Sequence, residues 1–406
     1  MIKEEGVYMK IKFSKKGQKR FIILGIAVVL AIGIVLNFNA IIEIGLQLTM
    51  GREFPQLQGE PAVGKWYAID IDDAVSSDGS RWQGYLKKGS ENKVMVIFFG
   101  GGLSVDEYTA ARTLEEEEGF YNARITTGSN VAARYLAKNG IGSCSKDSPF
   151  KEWSVIAIPY NNGDFHSGQG EFEYTALDGS RQILYHHGYT NYRLMMEEAL
   201  KYIGNDPEQV LITGASAGGF GASILADDVT AFFPETGDFT VYIDSSLLLY
   251  DKWNYVMTDV WESPAELSDP VQSNNITLDS LVNFKKKHEN ANILFGSSVR
   301  DYNLSMMQTY FDHGALEMHP GQEAGDRYQE ILANMIKDMQ REIPDSGIYV
   351  WDNVAQEEGH LSVHTAQGTH IFFEKREEGP SLAEWVNDSV NGDVKSYGLG
   401  LVDRNY

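Results

Sequence analysis

The sequence predicts an α/β fold with a mostly parallel central sheet and helices on both faces. Three observations carry the prediction. Short, continuous apolar runs bounded by turn residues recur along the 406 residues, as in strands buried on both faces. Segments with apolar residues at helical spacing lie between them. The two kinds alternate along the chain, as in sheets whose parallel strands are joined by helical crossovers.

In chain order, Lys65–Ile71 and Trp82–Lys87 read as early strands around a turn. Lys93–Phe99 is an apolar run ending in Gly100-Gly101-Gly102, and Trp153–Tyr160 and Gln209–Thr213 resemble it. Asp238–Ile243, Ala291–Phe295 and Gly347–Trp351 complete the strand set. Tyr192–Ile203, Phe220–Phe233 and Arg327–Arg341 carry the helical pattern. The Glu115–Glu118 run reads as a solvated helix face. Internal repeats and low-complexity tracts are absent from the sequence.

Composition removes several classes. The single cysteine, Cys144, cannot form a disulfide framework or a thiolate zinc module. Aromatic residues at 12% and hydrophobic residues at 43% supply a core and argue against long-range disorder. A net charge of -23 opposes general nucleic-acid binding, because an acidic surface repels phosphates.

The charge is uneven. Residues 1–20 hold seven Lys and Arg against two Glu, and the rest of the chain holds 27 against 55. Phe21–Leu36 follows at once, sixteen residues without a polar side chain, and the flank to Ile42 can complete a span. A basic head before an apolar segment favours a cytoplasmic N-terminus. The expected organisation is a basic cytoplasmic head over 1–20, a signal anchor over 21–42, a linker over 43–62 and a catalytic domain over 63–406 outside the cell. A cleaved signal peptide, giving a secreted enzyme, is the alternative; the lack of a small-x-small site after Leu36 weighs against it.

The segment Gln209–Gly221 contains Gly214-Ala215-Ser216-Ala217-Gly218, the pattern G-x-S-x-G, with a strand before it and a helix after it. A serine on so sharp a turn needs small neighbours two positions away. Its hydroxyl then stands clear at the end of the sheet, with the helix N-terminus behind it. Acyl transfer also needs backbone donors for an oxyanion. Gly100-Gly101-Gly102-Leu103 ends an upstream strand where such hydrolases place a Gly-rich loop, so Gly102, Leu103 and Ala217 are the expected donors. No G-K-[ST] follows to suggest a phosphate loop.

FFGGG (98–102), IPYNNGDFHSG (158–168), HHGYTN (186–191) and GASAGG (214–219) occur in this order. Together the four resemble the pectin acetylesterase/Notum family of serine carboxylesterases, over roughly residues 65–390. The resemblance implies an α/β-hydrolase-like fold and ester hydrolysis. Plant members of that family remove acetyl groups from pectin, and the animal branch removes a fatty acyl group from a protein. This chain departs from the pattern in Leu103-Ser104 where the family has Trp-Cys, in Asn161 where it has Cys, and in lacking paired cysteines. It thus resembles a bacterial, disulfide-free branch.

In such hydrolases the acid and then the histidine follow the serine along the chain. Asp301, after the strand ANILFGSS and before MMQTYF, is the expected acid, with Asp244 after DFTVYI as its rival and Asp312 a remote third. His360, His364 and His370 compete for the base. The stretch Gly368–Phe372, followed by a helix carrying Trp385, resembles the family's final block and selects His370. His166, His186 and His187 lack metal-site spacing and are expected to line the pocket or bind backbone groups, with Asp164 and His166 shaping the acyl pocket.

The expected mechanism is a Ser216–His370–Asp301 acyl-enzyme cycle without cofactor or metal. The expected substrate carries short acyl groups, acetyl first, on a polysaccharide; external placement and the 21 Tyr and 7 Trp suit sugar binding. A lipid or acyl-protein esterase, or a silent carbohydrate-binding surface protein, is the alternative.

Overall fold

Successive residues of a strand point to opposite faces, and the central strands here are apolar on both. Val96, Phe98, Ile212, Val241, Phe295 and Val350 enter one core, while Met95, Ile97, Leu211, Tyr242, Leu294 and Trp351 enter another. Every one of these side chains is at most 1% exposed. Such a sheet needs cover on both sides. The computed structural model shows that cover and describes residues 53–116, 118–124 and 127–406.

The strands are β1 (Trp66–Val75), β2 (Arg81–Lys87), β3 (Lys93–Phe98), β4 (Ser154–Ile158), β5 (Gly170–Thr175), β6 (Arg181–His186), β7 (Gln209–Ala215), β8 (Phe239–Asp244), β9 (Asn292–Ser298) and β10 (Gly347–Trp351). Eight of them form one sheet in the order β1-β2-β4-β3-β7-β8-β9-β10. From β4 to β10 every pairing is parallel, and β2 runs antiparallel to both β1 and β4. Strands β5 and β6 form a separate hairpin.

Helices 188–203, 217–230, 276–287 and 322–342 bury their apolar stripes in the first core. Helices 127–139 and 382–390 cover the other face, with Leu136, Trp385 and Val386 in the second core. The α/β-hydrolase-like sheet expected from the sequence is therefore present, with helices on both faces. The Ser216 helix begins at Ala217 rather than Phe220, because Ala217, Gly218 and Gly219 are small and pack as helix directly behind the turn. Residues Leu114–Glu116 form turns rather than a helix, and Glu115 is exposed and pairs with Arg124 at 2.7 Å.

The compact unit runs from Phe54 to Tyr406, so it begins before residue 63. Phe54 stacks on the Trp66 ring at 5.4 Å, and the Leu57 N–H donates to the Ala68 carbonyl at 2.8 Å. The end of the expected linker is thereby bound to the sheet edge. The basic head and signal anchor expected over residues 1–42 lie outside the described residues. Among the described residues, no helix is long and apolar enough to cross a membrane.

Candidate active site

Because β3, β7, β8 and β9 are neighbours and parallel, the segments leaving their carboxyl ends converge. These ends are where open α/β sheets hold ligands. The segments deliver Gly100–Leu103, Ser216, Asp244 and Asp301, in that strand order.

Ser216 sits between β7 and the helix Ala217–Thr230 with φ 56° and ψ -130°, a region that non-glycine residues seldom occupy. Its surroundings explain the motif. A Cβ on Gly214 would stand 2.1 Å from the Gly218 carbonyl oxygen, and one on Gly218 would stand 2.0 Å from that of Phe98. Neither contact is possible, so larger residues would force the turn open. The Ser216 N–H donates to the Asp244 carbonyl at 2.9 Å, and the Ser246 hydroxyl donates to the Ser216 carbonyl at 2.7 Å. Phe165, His166, Ser245 and Thr365 also have positive φ. Most of the non-glycine backbone strain thus lies around this one site, as is common where side chains are held for chemistry.

Asp301 caps the helix Tyr302–His313 and is fully buried. Its carboxylate accepts the Leu304 N–H at 3.0 Å and the Ser298 hydroxyl at 3.3 Å. Its third partner is His364, whose Nδ1–H lies 2.9 and 2.8 Å from the two carboxylate oxygens. This leaves Nε2 of His364 for another partner. Burial acts to lower the His364 pKa; the charge and hydrogen bond of Asp301, with a further contribution from Asp244, outweigh it and raise the value above the ordinary 6.5.

His370, the base expected from the sequence, is elsewhere. Its side chain is 67% exposed, lies 3.3 Å from Glu374, and meets the Tyr135 hydroxyl at 3.3 Å. It occupies the first position of a short 3₁₀ helix whose apolar pair, Ile371 and Phe372, turns into the core, so the ring is left at the surface. His360 pairs with Asp352 at 3.0 Å. All three C-terminal histidines therefore have a carboxylate partner. Only His364 lines the cavity that Ser216 lines.

That cavity has a volume of about 560 Å³. Phe99, Phe120, Leu136, Phe165, Leu248 and Met307 give it an apolar wall. Gly101, Gly102, Leu103 and Ala217 also line it. The Leu103 N–H is already donated to the Phe120 carbonyl at 3.0 Å, which removes Leu103 from the expected donors. Among the described residues, no acceptor meets the N–H of Gly101, Gly102 or Ala217. Ala217 is the first residue of its helix, where the N–H has no intrahelical acceptor. Gly102 has φ 81°, and a Cβ there would lie 1.7 Å from the Phe120 oxygen. The loop therefore requires glycine at position 102. The contact that engages Leu103 comes from Phe120, which the local sequence around the glycine run does not show.

Asp164 and His166 flank the cavity without lining it; Phe165 between them does. His166 Nε2–H donates to the Phe99 carbonyl at 2.9 Å, just ahead of the glycine loop. Burial lowers its pKa to about 4, so it is neutral. Asp164 accepts the N–H groups of His166 and Gly188 at 3.0 and 2.7 Å, and burial raises its pKa to about 7. His186 Nδ1–H donates to the Asn162 carbonyl at 2.8 Å, and burial lowers its pKa to about 3. Asp312, the remote acid candidate, pairs with Arg327 at 3.0 Å.

Residues 67–330 match the pectinacetylesterase family. No curated protein matches the chain. Among solved structures, the Wnt deacylase Notum from Drosophila superposes with a TM-score of 0.52 at 14% sequence identity, over 79% of this chain and 91% of that one. This likeness is one of fold. The family match covers well over half of the chain, including the glycine loop, Ser216 and Asp301. The chain therefore belongs to the pectinacetylesterase family and is a carboxylic ester hydrolase acting on acyl groups.

Proposed function

We propose that this chain is a serine esterase in which Ser216 attacks the ester carbonyl, His364 takes its proton and Asp301 orients the imidazole. The observation that carries this reading is the paired contact of a buried Asp301 with His364 on the rim of the cavity that holds Ser216. The N–H groups of Gly101, Gly102 and Ala217 would receive the oxyanion. With Nδ1–H committed to Asp301, Nε2 of His364 is the proton acceptor, and it later protonates the leaving alcohol. Water activated by the same Nε2 then releases the acyl group.

The wall of the cavity supports an acyl group larger than acetyl. At roughly 30 Å³ for a water-sized group, about 560 Å³ far exceeds an acetyl group. A polar acetylated sugar would also leave this apolar wall unmatched. The second reading, deacetylation of a polysaccharide, rests on the family match and places the sugar outside the cavity. The basic head and apolar run support a membrane-tethered enzyme with its catalytic unit outside the cell.

Hydrolysis of p-nitrophenyl esters from acetate to palmitate, by wild type and Ser216→Ala, tests this. The expected result is a rate that rises beyond acetate and is lost in the variant. Activity that is confined to acetate would favour the polysaccharide reading. Unchanged activity in Ser216→Ala would overturn the serine mechanism.

A further inference from the structure

Asp244 was the rival for the catalytic acid, and the structure gives it different partners. It is fully buried at the end of β8, next to the nucleophile strand. Its Oδ2 accepts the N–H groups of Ala366 and Gln367 at 2.8 and 2.7 Å, and its Oδ1 accepts the Ser245 hydroxyl at 3.0 Å. Its own carbonyl accepts the Ser216 N–H at 2.9 Å. One residue therefore holds the nucleophile turn through its backbone and the segment just after His364 through its side chain.

We infer that Asp244 is a positioning residue for ester hydrolysis: its carboxylate clamps the His364 segment in register with Ser216 and places a second negative charge near the imidazole. The inference rests on the Ser216–His364–Asp301 reading. The clamp is specific to this end of the segment. On the other side, Ser362 donates its N–H to the Arg300 carbonyl at 2.8 Å, beside Asp301. Thr365, between the two anchors, has φ 60°. A strained residue held between fixed points keeps its conformation only while both anchors hold. Removing the Asp244 anchor frees the segment to relax and carries the imidazole with it. A displacement near 1 Å costs about 10²-fold in rate.

The charged groups that bear on His364 are Asp301, in direct contact, and Asp244. Tyr242 and Tyr328 lie near these carboxylates, and burial holds both phenols well above their ordinary value, so they stay neutral. Burial raises the Asp244 carboxyl to about 6, so above that pH it is the second source of charge that favours the imidazolium.

The test compares Asp244→Asn and Asp244→Ala with wild type, following kcat, KM and the acidic limb of the kcat/KM profile on a p-nitrophenyl ester. Asparagine can keep all three hydrogen bonds, with Oδ1 toward Ala366 and Gln367 and Nδ2 toward Ser245, while it removes the charge. The expected result for Asn is an acidic inflection lowered by a few tenths to about one pH unit, with plateau activity within about tenfold of wild type. Alanine should lower plateau kcat about 10²-fold with a smaller change in KM, because the apolar wall of Phe99, Phe120, Phe165, Leu248 and Met307 is untouched although Thr365 and Gln367 also line the cavity. An unshifted inflection in Asp244→Asn overturns the inference, whether or not the alanine variant folds. Loss of activity in Ser216→Ala and His364→Ala beside wild-type behaviour in both Asp244 variants would reject the clamp alone. Wild-type turnover in His364→Ala would reject the site reading and the clamp with it.

Discussion

Replacing His364 by alanine separates catalysis from stability, and the structure sets the size of each effect. The substitution removes the group proposed to take the Ser216 proton. Loss of such a group costs about 10³ to 10⁶ in kcat, or about 4 to 8 kcal/mol of barrier. The stability cost is smaller. Asp301 loses its His364 partner but keeps the Leu304 N–H and the Ser298 hydroxyl. One hydrogen bond to a charged group contributes about 1.5 to 3 kcal/mol. The unit Phe54–Tyr406 has about 350 residues, so its melting entropy is about 0.7 kcal/mol per degree. The melting temperature should fall by about 2 to 4 °C. His370→Ala is the matched control. Its ring is 67% exposed, and a surface substitution of that kind should change kcat/KM by no more than about twofold. Steady-state hydrolysis of p-nitrophenyl butyrate and thermal melts on the two variants and wild type give all the numbers. A 10³-fold loss in His370→Ala with wild-type turnover in His364→Ala would refute the assignment.

Four further outcomes follow from the geometry. Activity should fall as pH drops through a value above 6.5, because protonated His364 cannot accept the serine proton; Asp301→Asn should move that limb to lower pH in a pH–rate profile. The same raised value gives stability the opposite sign: the His364–Asp301 contribution is full below the ordinary 6.5 and is lost as pH rises through the folded-state value, so the melting-temperature gap between wild type and His364→Gln should shrink from pH 6 to 9. Gly102→Ala should lower kcat about 10²- to 10³-fold, measured on the same ester, because its Cβ would meet the Phe120 oxygen at 1.7 Å and turn the oxyanion donors away. Met307→Trp should cut hydrolysis of long esters much more than that of acetate in a chain-length series, because Met307 lines the apolar cavity; a uniform loss across the series would place the acyl chain elsewhere.

The residues that the sequence made legible are those whose chemistry is local. The apolar runs of β3, β7, β8 and β9 are continuous because both faces of each strand are buried, and this shows in any window of the chain. The Ser216 turn is legible for the same reason. Gly214 and Gly218 carry no side chain because backbone atoms within a few residues, or on the adjacent strand, leave no room for a Cβ. The family resemblance selects Asp301 over Asp244, by its place a short connection after a strand and before an aromatic-rich helix, since helix capping alone would also put an Asp there.

The histidine was decided by tertiary structure. His360, His364 and His370 lie within a short stretch, and each finds a carboxylate. The one local signal that ranks them, the stretch Gly368–Phe372 before the Trp385 helix, selects His370, whose ring the fold leaves at the surface. What ranks them in the folded chain is the pairing of Ser362 with Arg300 and the clamp of Ala366 and Gln367 on Asp244, contacts between residues 62 or more apart in the chain. The choice of oxyanion donors has the same cause, since Leu103 is removed from the set by the Phe120 carbonyl across a turn. Steric demand within a turn is written in neighbouring residues, whereas the position of a loop against distant strands is the sum of many contacts, and only the folded chain brings them together.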